Sequence, residues 1–156
     1  YPTDIISQFL YLGNYYDATD AIILRELGIT HVVDATSEEL SRQNVQNNMH
    51  LEYLSIPIWD IEGVNIMEHF DNVINFINTA KKENPKNKIL IHCRAGISRS
   101  ATFILAYLMH SRIVSSLKDA LTLVVTERPY ILPNISFRSQ LMEYENILYN
   151  YQSFNN

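Results

Sequence analysis

Residues 88–109 join an apolar strand pattern to an apolar helix pattern through a short glycine-containing loop. The strand is predicted at residues 88–92, and residues 101–109 are apolar almost all the way round, which is typical of a helix buried against a sheet. Such a strand and helix indicate an α/β layer structure with a mostly parallel sheet. Ligands bind beyond the carboxyl ends of the strands in these sheets, so the loop after residue 92 is the expected site.

The rest of the chain repeats this alternation. Apolar, β-branched runs predict strands at residues 30–35 and 51–58, with a shorter one at 9–12. Helical periodicity and capping residues predict four more helices, over residues 17–27, from Asn65 to about Lys82, from Ser116 to the stop at Pro129, and along residues 137–151. The polar stretch 41–48 is expected to be a solvated loop. We therefore expect one domain, residues 1–156, with a central, mostly parallel twisted sheet of about five strands flanked by helices.

Composition and charge exclude several classes of function. The chain has 156 residues, of which 47% are hydrophobic and 19% charged, as in ordinary globular proteins. A formal charge of -5 argues against a broad electrostatic grip on nucleic acid or an acidic membrane. The single cysteine excludes an internal disulfide and a cysteine-based zinc cage, and it favours a reducing compartment. We expect a monomer in the cytoplasm or nucleus.

The loop itself carries the chemistry, in the run His92-Cys93-Arg94-Ala95-Gly96-Ile97-Ser98-Arg99-Ser100. A strand that turns into a helix here directs backbone N–H groups to one point at the helix N-terminus, where they bind an anion. A thiol at the start of such a loop is stabilised as the thiolate, so Cys93 is the predicted nucleophile rather than an inert buried thiol. The planar guanidinium of Arg99 can bind two phosphate oxygens at once.

This run resembles the signature of the protein tyrosine phosphatase superfamily, and residues 95–100 resemble its dual-specificity branch in particular. Similar motifs occur along nearly the whole chain: Tyr11-Leu12-Gly13, Gly28-Ile29-Thr30-His31-Val32-Val33, Ile56-Pro57-Ile58-Trp59-Asp60, Arg128-Pro129, Pro133-Asn134, Phe137 and Gln140-Leu141. The resemblance implies a phosphatase-like fold and a phosphoric monoester hydrolase that needs no cofactor and no metal.

The resemblance also implies a role for each matching residue. Cys93 would attack phosphorus, and Arg99 with the backbone N–H groups of residues 94–98 (Arg94, Ala95, Gly96, Ile97 and Ser98) would bind the phosphoryl group. Asp60 would protonate the leaving oxygen and then activate water, from a loop that contains Gly63 and suits a mobile lid. Ser100 would assist departure of the thiolate. His92 and Asn134 would support the loop without touching the substrate.

Several of these residues have alternatives. Glu62 lies two positions from Asp60 and is the substitute general acid. His92 is interpreted as a hydrogen-bonded structural residue rather than a base, and Ser100 can cap the helix as well as assist catalysis. Tyr130 is a further candidate for the neighbourhood of the site. The other histidines have no ligand-like spacing and are interpreted as structural or exposed: His31, His50, His69 and His110.

The expected substrates are proteins phosphorylated on tyrosine, serine or threonine. The short chain lacks the additional segments that deepen the pocket in other branches of the family, which implies a cleft shallow enough for all three residues. Three rival functions remain: a phosphoinositide phosphatase, an RNA triphosphatase, whose relatives usually have a second His in the loop, and a catalytically weak module that only binds phosphoproteins. Relatives that act on phosphoinositides often carry extra Lys or Arg within the loop, whereas here Arg94 is followed by Ala95, Ile97 and Ser98.

Overall fold

A five-stranded sheet forms the centre of the computed structural model, which describes residues 1–37 and 49–154, so that the loop predicted at 41–48 lies outside the described residues. The strand order is β1-β2-β5-β3-β4, with the bounds Thr3–Ile6 (β1), Leu10–Gly13 (β2), His31–Asp34 (β3), Glu52–Ser55 (β4) and Ile89–His92 (β5). Strand β1 is antiparallel to β2, and the other four strands are parallel. This confirms the predicted, mostly parallel sheet.

Helices cover both faces of this sheet. In the described part of the chain they are Tyr15–Ala18 (α1), Ala21–Leu27 (α2), Phe70–Glu83 (α3), Arg99–His110 (α4), Leu117–Glu127 (α5) and Ile135–Tyr149 (α6), with a 3₁₀ turn at Met67–His69. Leu90 packs with Leu24 of α2 on one face, and Ile91 packs with Phe103 of α4 on the other. Residues 99–109 are all buried, which confirms the helix predicted against the sheet.

Two predicted elements are wrong in their extent. The single helix predicted over residues 17–27 is two helices, because Asp20 caps α2 by accepting hydrogen bonds from the N–H groups of Ile22 and Ile23 at 3.0 and 3.2 Å. Its predicted end is confirmed, since Gly28 adopts φ 77°. The strand predicted over residues 51–58 ends at Ser55, shortly before Pro57, which has no N–H to donate to a sheet.

The chain termini also differ from the prediction. Strand β1 was not predicted, because Thr3–Ile6 is short and partly polar. The last helix ends at Tyr149 rather than residue 151, since Asn150 adopts a left-handed conformation with φ 53°. Within the described residues, no helix is both long enough and apolar enough to cross a bilayer.

The register of the sheet determines where the signature loop begins. His92 at the end of β5 pairs with Gly13 of β2 on one side and with Asp34 of β3 on the other. Because these three strands are parallel, their carboxyl ends lie side by side, and Cys93 follows directly from the middle one. The signature loop therefore occupies the edge of the sheet where ligand sites are expected.

Candidate active site

The phosphate loop, residues 93–98, turns tightly around the sulfur of Cys93. Gly96 donates its backbone N–H to Cys93 Sγ at 3.3 Å, and Ser100 Oγ lies 3.1 Å from the same sulfur. Gly96 has φ 69°, and a Cβ there would lie 2.5 Å from Arg128 Nη2 and 2.7 Å from the Gly13 carbonyl oxygen. Only glycine fits both the conformation and the space at this point of the loop.

Arg128 braces this loop from behind. Its side chain is buried, and Nε donates to the Gly96 carbonyl oxygen at 3.1 Å while Nη1 donates to Thr3 Oγ1 at 2.8 Å. The guanidinium also lies 4.9 Å from the centre of the Tyr130 ring. Tyr130 therefore lies beside the Arg128 guanidinium. The contact with Gly96 explains the arginine of the Arg128-Pro129 motif, which the sequence alone does not.

Other contacts fix the loop backbone. Tyr15 N–H donates to the Arg94 carbonyl oxygen at 3.0 Å, and Leu132 N–H donates to that of Ile97 at 2.9 Å. His92 lies on the buried side of the loop, with Nδ1 3.3 Å from the Cys93 carbonyl oxygen and Nε2 3.7 Å from Asp34 Oδ1. The carbonyl groups of Arg94, Gly96 and Ile97 thus accept hydrogen bonds from residues outside the loop, while the Gly96 N–H is directed at the Cys93 sulfur.

The side chain of Arg99 is buried and incompletely hydrogen bonded. Nη1 donates to the Ile58 carbonyl oxygen at 2.9 Å, which fixes the direction of the guanidinium. Its Nε is buried and has no hydrogen-bond partner among residues 1–37 and 49–154. A buried N–H on a cationic group is costly when unpaired, and a phosphate oxygen is the kind of acceptor that would satisfy it.

A cavity of about 490 Å³ opens in front of the sulfur. Its lining residues are Asn14, Tyr16, Asp60, Cys93, Arg94, Ala95, Ile97, Ser98 and Arg99. The structure thus brings together most of the residues predicted for the site. The remaining predicted residues do not line the cavity: Gly96, Ser100, His92 and Asn134. Asn14 and Tyr16 were not predicted, because they reach the cavity from α1 and its cap, far from the loop in sequence.

Asp60 enters the cavity from an exposed loop. Its Oδ1 accepts a hydrogen bond from Asn134 Nδ2 at 3.0 Å, and the backbone N–H of Asn134 donates to Ser98 Oγ, also at 3.0 Å. Asn134 therefore connects Asp60 to the phosphate loop, while its Oδ1 caps α6. Glu62, the alternative acid, is not among the residues that line the cavity.

A comparison with protein families identifies the fold. Residues 10–147 match the family model described as the dual specificity phosphatase, catalytic domain. The chain belongs to this family. Human dual specificity protein phosphatase 1 is 39% identical over 146 residues, which are 92% of this chain and 37% of that protein. The chain thus spans about a third of the length of the curated relatives it matches.

Solved structures agree with this assignment of the dual specificity phosphatase fold. The crystal structure of DUSP15 superimposes with a TM-score of 0.83 and 34% identity, and covers 92% of this chain and 86% of the other. The human tyrosine phosphatase-like serine/threonine/tyrosine-interacting protein has a TM-score of 0.78 and 32% identity over 94% of this chain and 96% of its own. The predicted family and fold class are therefore confirmed.

Proposed function

We propose that this domain hydrolyses phosphotyrosine, phosphoserine and phosphothreonine in proteins through a phosphocysteine intermediate at Cys93. One observation supports this most directly. The Cys93 sulfur, flanked by Ser100 Oγ and the Gly96 N–H, lies in a cavity where the buried Nε of Arg99 has no acceptor among the described residues. A phosphoryl group in that cavity supplies the acceptor for Arg99 and the electrophile for Cys93.

The first step forms a sulfur–phosphorus bond. The Cys93 thiolate attacks phosphorus, and the bond between phosphorus and the ester oxygen breaks with its electron pair on that oxygen. Asp60 donates a proton to the leaving oxygen, so that the alcohol or phenol departs neutral. Arg99 and the loop N–H groups hold the equatorial oxygens, where charge is spread in the transition state.

The second step regenerates the enzyme. Water attacks the phosphorus of the phosphocysteine and gives its proton to the Asp60 carboxylate, while the sulfur–phosphorus bond breaks and inorganic phosphate forms. Ser100 Oγ, 3.1 Å from the sulfur, donates a hydrogen bond to the departing thiolate. Asn134 holds Asp60 close to the loop in both steps, since the Asn134–Asp60 hydrogen bond is 3.0 Å.

The family relationship favours proteins phosphorylated on tyrosine, serine or threonine as substrates. The curated relatives that the chain matches are dual specificity protein phosphatases by name, and phosphoproteins are the corresponding substrates here. Arg94 is the one lysine or arginine within the phosphate loop. Because relatives that act on phosphoinositides often carry additional cations there, phosphoinositides are the less favoured substrates. A monomeric state and a cytoplasmic or nuclear location stay predictions.

A second candidate function is binding without turnover. It is favoured by the similarity to a solved protein described as phosphatase-like and as an interacting protein. Against it, the chain retains a thiol, a buried arginine and a carboxylate around one cavity. A domain that only binds phosphate needs the arginine and the loop N–H groups, but neither the thiolate nor the acid.

The experiment that tests the proposal compares turnover across phosphotyrosine, phosphothreonine and doubly phosphorylated peptides and phosphoinositides, with thiols reduced. We expect turnover of all the peptides, loss of it in Cys93→Ser, and retention of peptide binding in that variant. Peptide binding without turnover in the reduced wild type would support the binding module instead. Much faster turnover of phosphoinositides than of peptides would contradict the assigned substrate class.

A further inference from the structure

Tyr16 is an aromatic residue of the active-site cavity to which the mechanism assigns no role. It lines the same cavity as Cys93, yet it is 74% exposed, the largest fraction among the large hydrophobic residues of ranges 1–37 and 49–154. A single exposed tyrosine on a protein surface needs no explanation. Here the exposed ring forms part of a cavity wall, where a bound substrate can cover it.

We propose that Tyr16 is a specificity-determining residue, which packs against the phenyl ring of phosphotyrosine and so favours phosphotyrosine over phosphoserine and phosphothreonine. This inference rests on the proposed function, because it requires a phosphoryl group at the phosphate loop. The phosphate loop and Arg99 bind the group that all three phosphoresidues share, and they cannot supply such a preference. A preference must come from contacts with the side chain beyond the ester oxygen.

In-line attack determines where the rest of the substrate lies. The leaving oxygen is opposite the attacking sulfur across phosphorus, so the side chain that carries the phosphate points out of the cavity. In phosphoserine and phosphothreonine that oxygen is bonded directly to Cβ, whereas in phosphotyrosine a whole phenyl ring comes between them. The phenyl ring therefore lies between the cavity walls, in a space that the shorter side chains fill only in part.

Helix α1 holds the backbone of Tyr16 beside the phosphate loop. The helix begins one residue after β2, which is the strand next to β5, and the backbone N–H of Tyr15 donates to the Arg94 carbonyl oxygen at 3.0 Å. Asn14 and Asp17 form a capping box, in which the N–H of each donates to the side chain of the other at 2.9 Å. A helix this short needs such support, and the capping box with the contact to Arg94 supplies it.

The side chains around Tyr16 suit an aromatic ring. The Tyr15 ring lies beside it, with 5.2 Å between centroids and 57° between planes, which limits how the Tyr16 ring can turn. The phosphate loop contributes Ala95 and Ile97 to the same cavity, so that apolar side chains come from two separate segments. Aromatic pairs gain from edge-to-face or offset contact in addition to the burial of their area. Contact with the substrate would also remove from water a ring that the free domain leaves exposed.

Peptide affinity is measured on the domain carrying Cys93→Ser, because binding can then be followed without turnover. Two peptides of the same sequence carry either phosphotyrosine or phosphothreonine, and isothermal titration calorimetry gives their dissociation constants. Tyr16→Ala should weaken binding of the phosphotyrosine peptide about tenfold and change that of the phosphothreonine peptide by less than about twofold. Tyr16→Phe keeps the ring and should restore the affinity for phosphotyrosine.

Steady-state kinetics test the same contact in the domain with Cys93 intact. Tyr16→Ala should lower kcat/KM for the phosphotyrosine peptide by the same factor of about ten, with kcat nearly unchanged. The reason is that Tyr16 contacts the ring equally in the ground state and the transition state, and does not touch the reacting atoms. The kcat/KM for the phosphothreonine peptide should stay close to that of the wild type.

Tyr151 offers a matched control. It is 56% exposed and does not line the cavity, so Tyr151→Ala should change neither affinity. The inference is overturned if Tyr16→Ala weakens both peptides equally, as a merely structural role would, or if it weakens neither. It is also overturned if Tyr16→Phe binds as weakly as Tyr16→Ala, because the hydroxyl rather than the ring would then make the contact. Absence of turnover with Cys93 intact would contradict the proposed function, while the affinities would still test Tyr16.

Discussion

The phosphate loop and the acid loop, residues 56–66, differ in how firmly the fold holds them. Cys93, Gly96 and Ser98 of the phosphate loop are buried, and its carbonyl groups accept hydrogen bonds from Tyr15, Arg128 and Leu132. The acid loop exposes residues 59–63, including Trp59, which is 57% exposed. In the proposed mechanism, phosphate binding would be preorganised, whereas the proton donor would be carried on an exposed segment.

The two loops are nevertheless connected at two points. Arg99 Nη1 donates to the Ile58 carbonyl oxygen, and Asn134 Nδ2 donates to Asp60 Oδ1. Movement of the acid loop is thus limited on either side of Trp59. In the proposed mechanism, the firmly held loop would bind the phosphate that all substrates share, and the more exposed loop would meet the leaving group that differs between them.

Replacement of Arg99 tests the firmly held loop and should have the largest effect. Arg99→Ala removes the guanidinium group proposed to bind phosphate, and we expect kcat/KM to fall by about 10³-fold or more. Arg94→Ala is the comparison variant, because it keeps the loop backbone and removes a second cavity-lining cation, whose side chain is exposed rather than buried. Steady-state kinetics on a phosphopeptide measure both. Equal losses in the two variants would contradict the role of Arg99.

Replacement of the acid tests the more exposed loop. Asp60→Asn should lower kcat by about 10²-fold on phosphothreonine peptides, whose leaving alcohol needs a proton. The loss should be smaller on aryl phosphates with acidic phenols, which leave unaided. Glu62→Gln is the control, and its kcat should stay close to that of the wild type. The reverse pattern would identify Glu62 as the acid.

A pair of glycine substitutions compares the rigidity of the two loops directly. Both glycines have positive φ, 69° at Gly96 and 91° at Gly63, but a Cβ at Gly63 has no atom within 4 Å. Gly63→Ala should cost about 1 kcal/mol of unfolding free energy, from backbone strain alone. Gly96→Ala adds the clash with Arg128 and the Gly13 carbonyl, and should cost about 2–4 kcal/mol. Urea unfolding measures the loss of unfolding free energy in both variants. Similar losses would contradict the difference in packing between the two loops.

The connection through Asn134 should have the smallest effect. Asn134→Ser keeps an oxygen that can cap α6 but loses the amide that donates to Asp60. We expect kcat to fall a few fold with the melting temperature nearly unchanged. Asn134→Ala removes the cap as well and should also cost about 1 kcal/mol of stability. An unchanged kcat in Asn134→Ser would mean that the hydrogen bond does not position Asp60.

The sequence predicts those parts of the molecule whose interactions are local. Residues 92–100 are contiguous, so strand, loop and helix N-terminus can be inferred together with Cys93 and Arg99. The caps at Ser116 and Gly28 are local in the same sense, and the structure confirms them. Asp20 was overlooked as a cap because the apolar pattern continues across it.

The interactions that could not be predicted join distant segments. Arg128 reaches Gly96 and Thr3 only because α5 ends behind the loop, and Tyr16 reaches the cavity only because β2 lies beside β5. No spacing along the chain indicates such contacts before the fold is known.

In the proposed mechanism, the phosphoryl group is transferred to the Cys93 sulfur before it reaches water. Ser100→Ala should slow release of the thiolate, so that the phosphocysteine accumulates during turnover. Rapid acid quenching followed by mass spectrometry of peptides should then find one phosphoryl group on the peptide that contains Cys93, and none in Cys93→Ser. Continued turnover in Cys93→Ser, or turnover with phosphate found on another residue, would contradict the account.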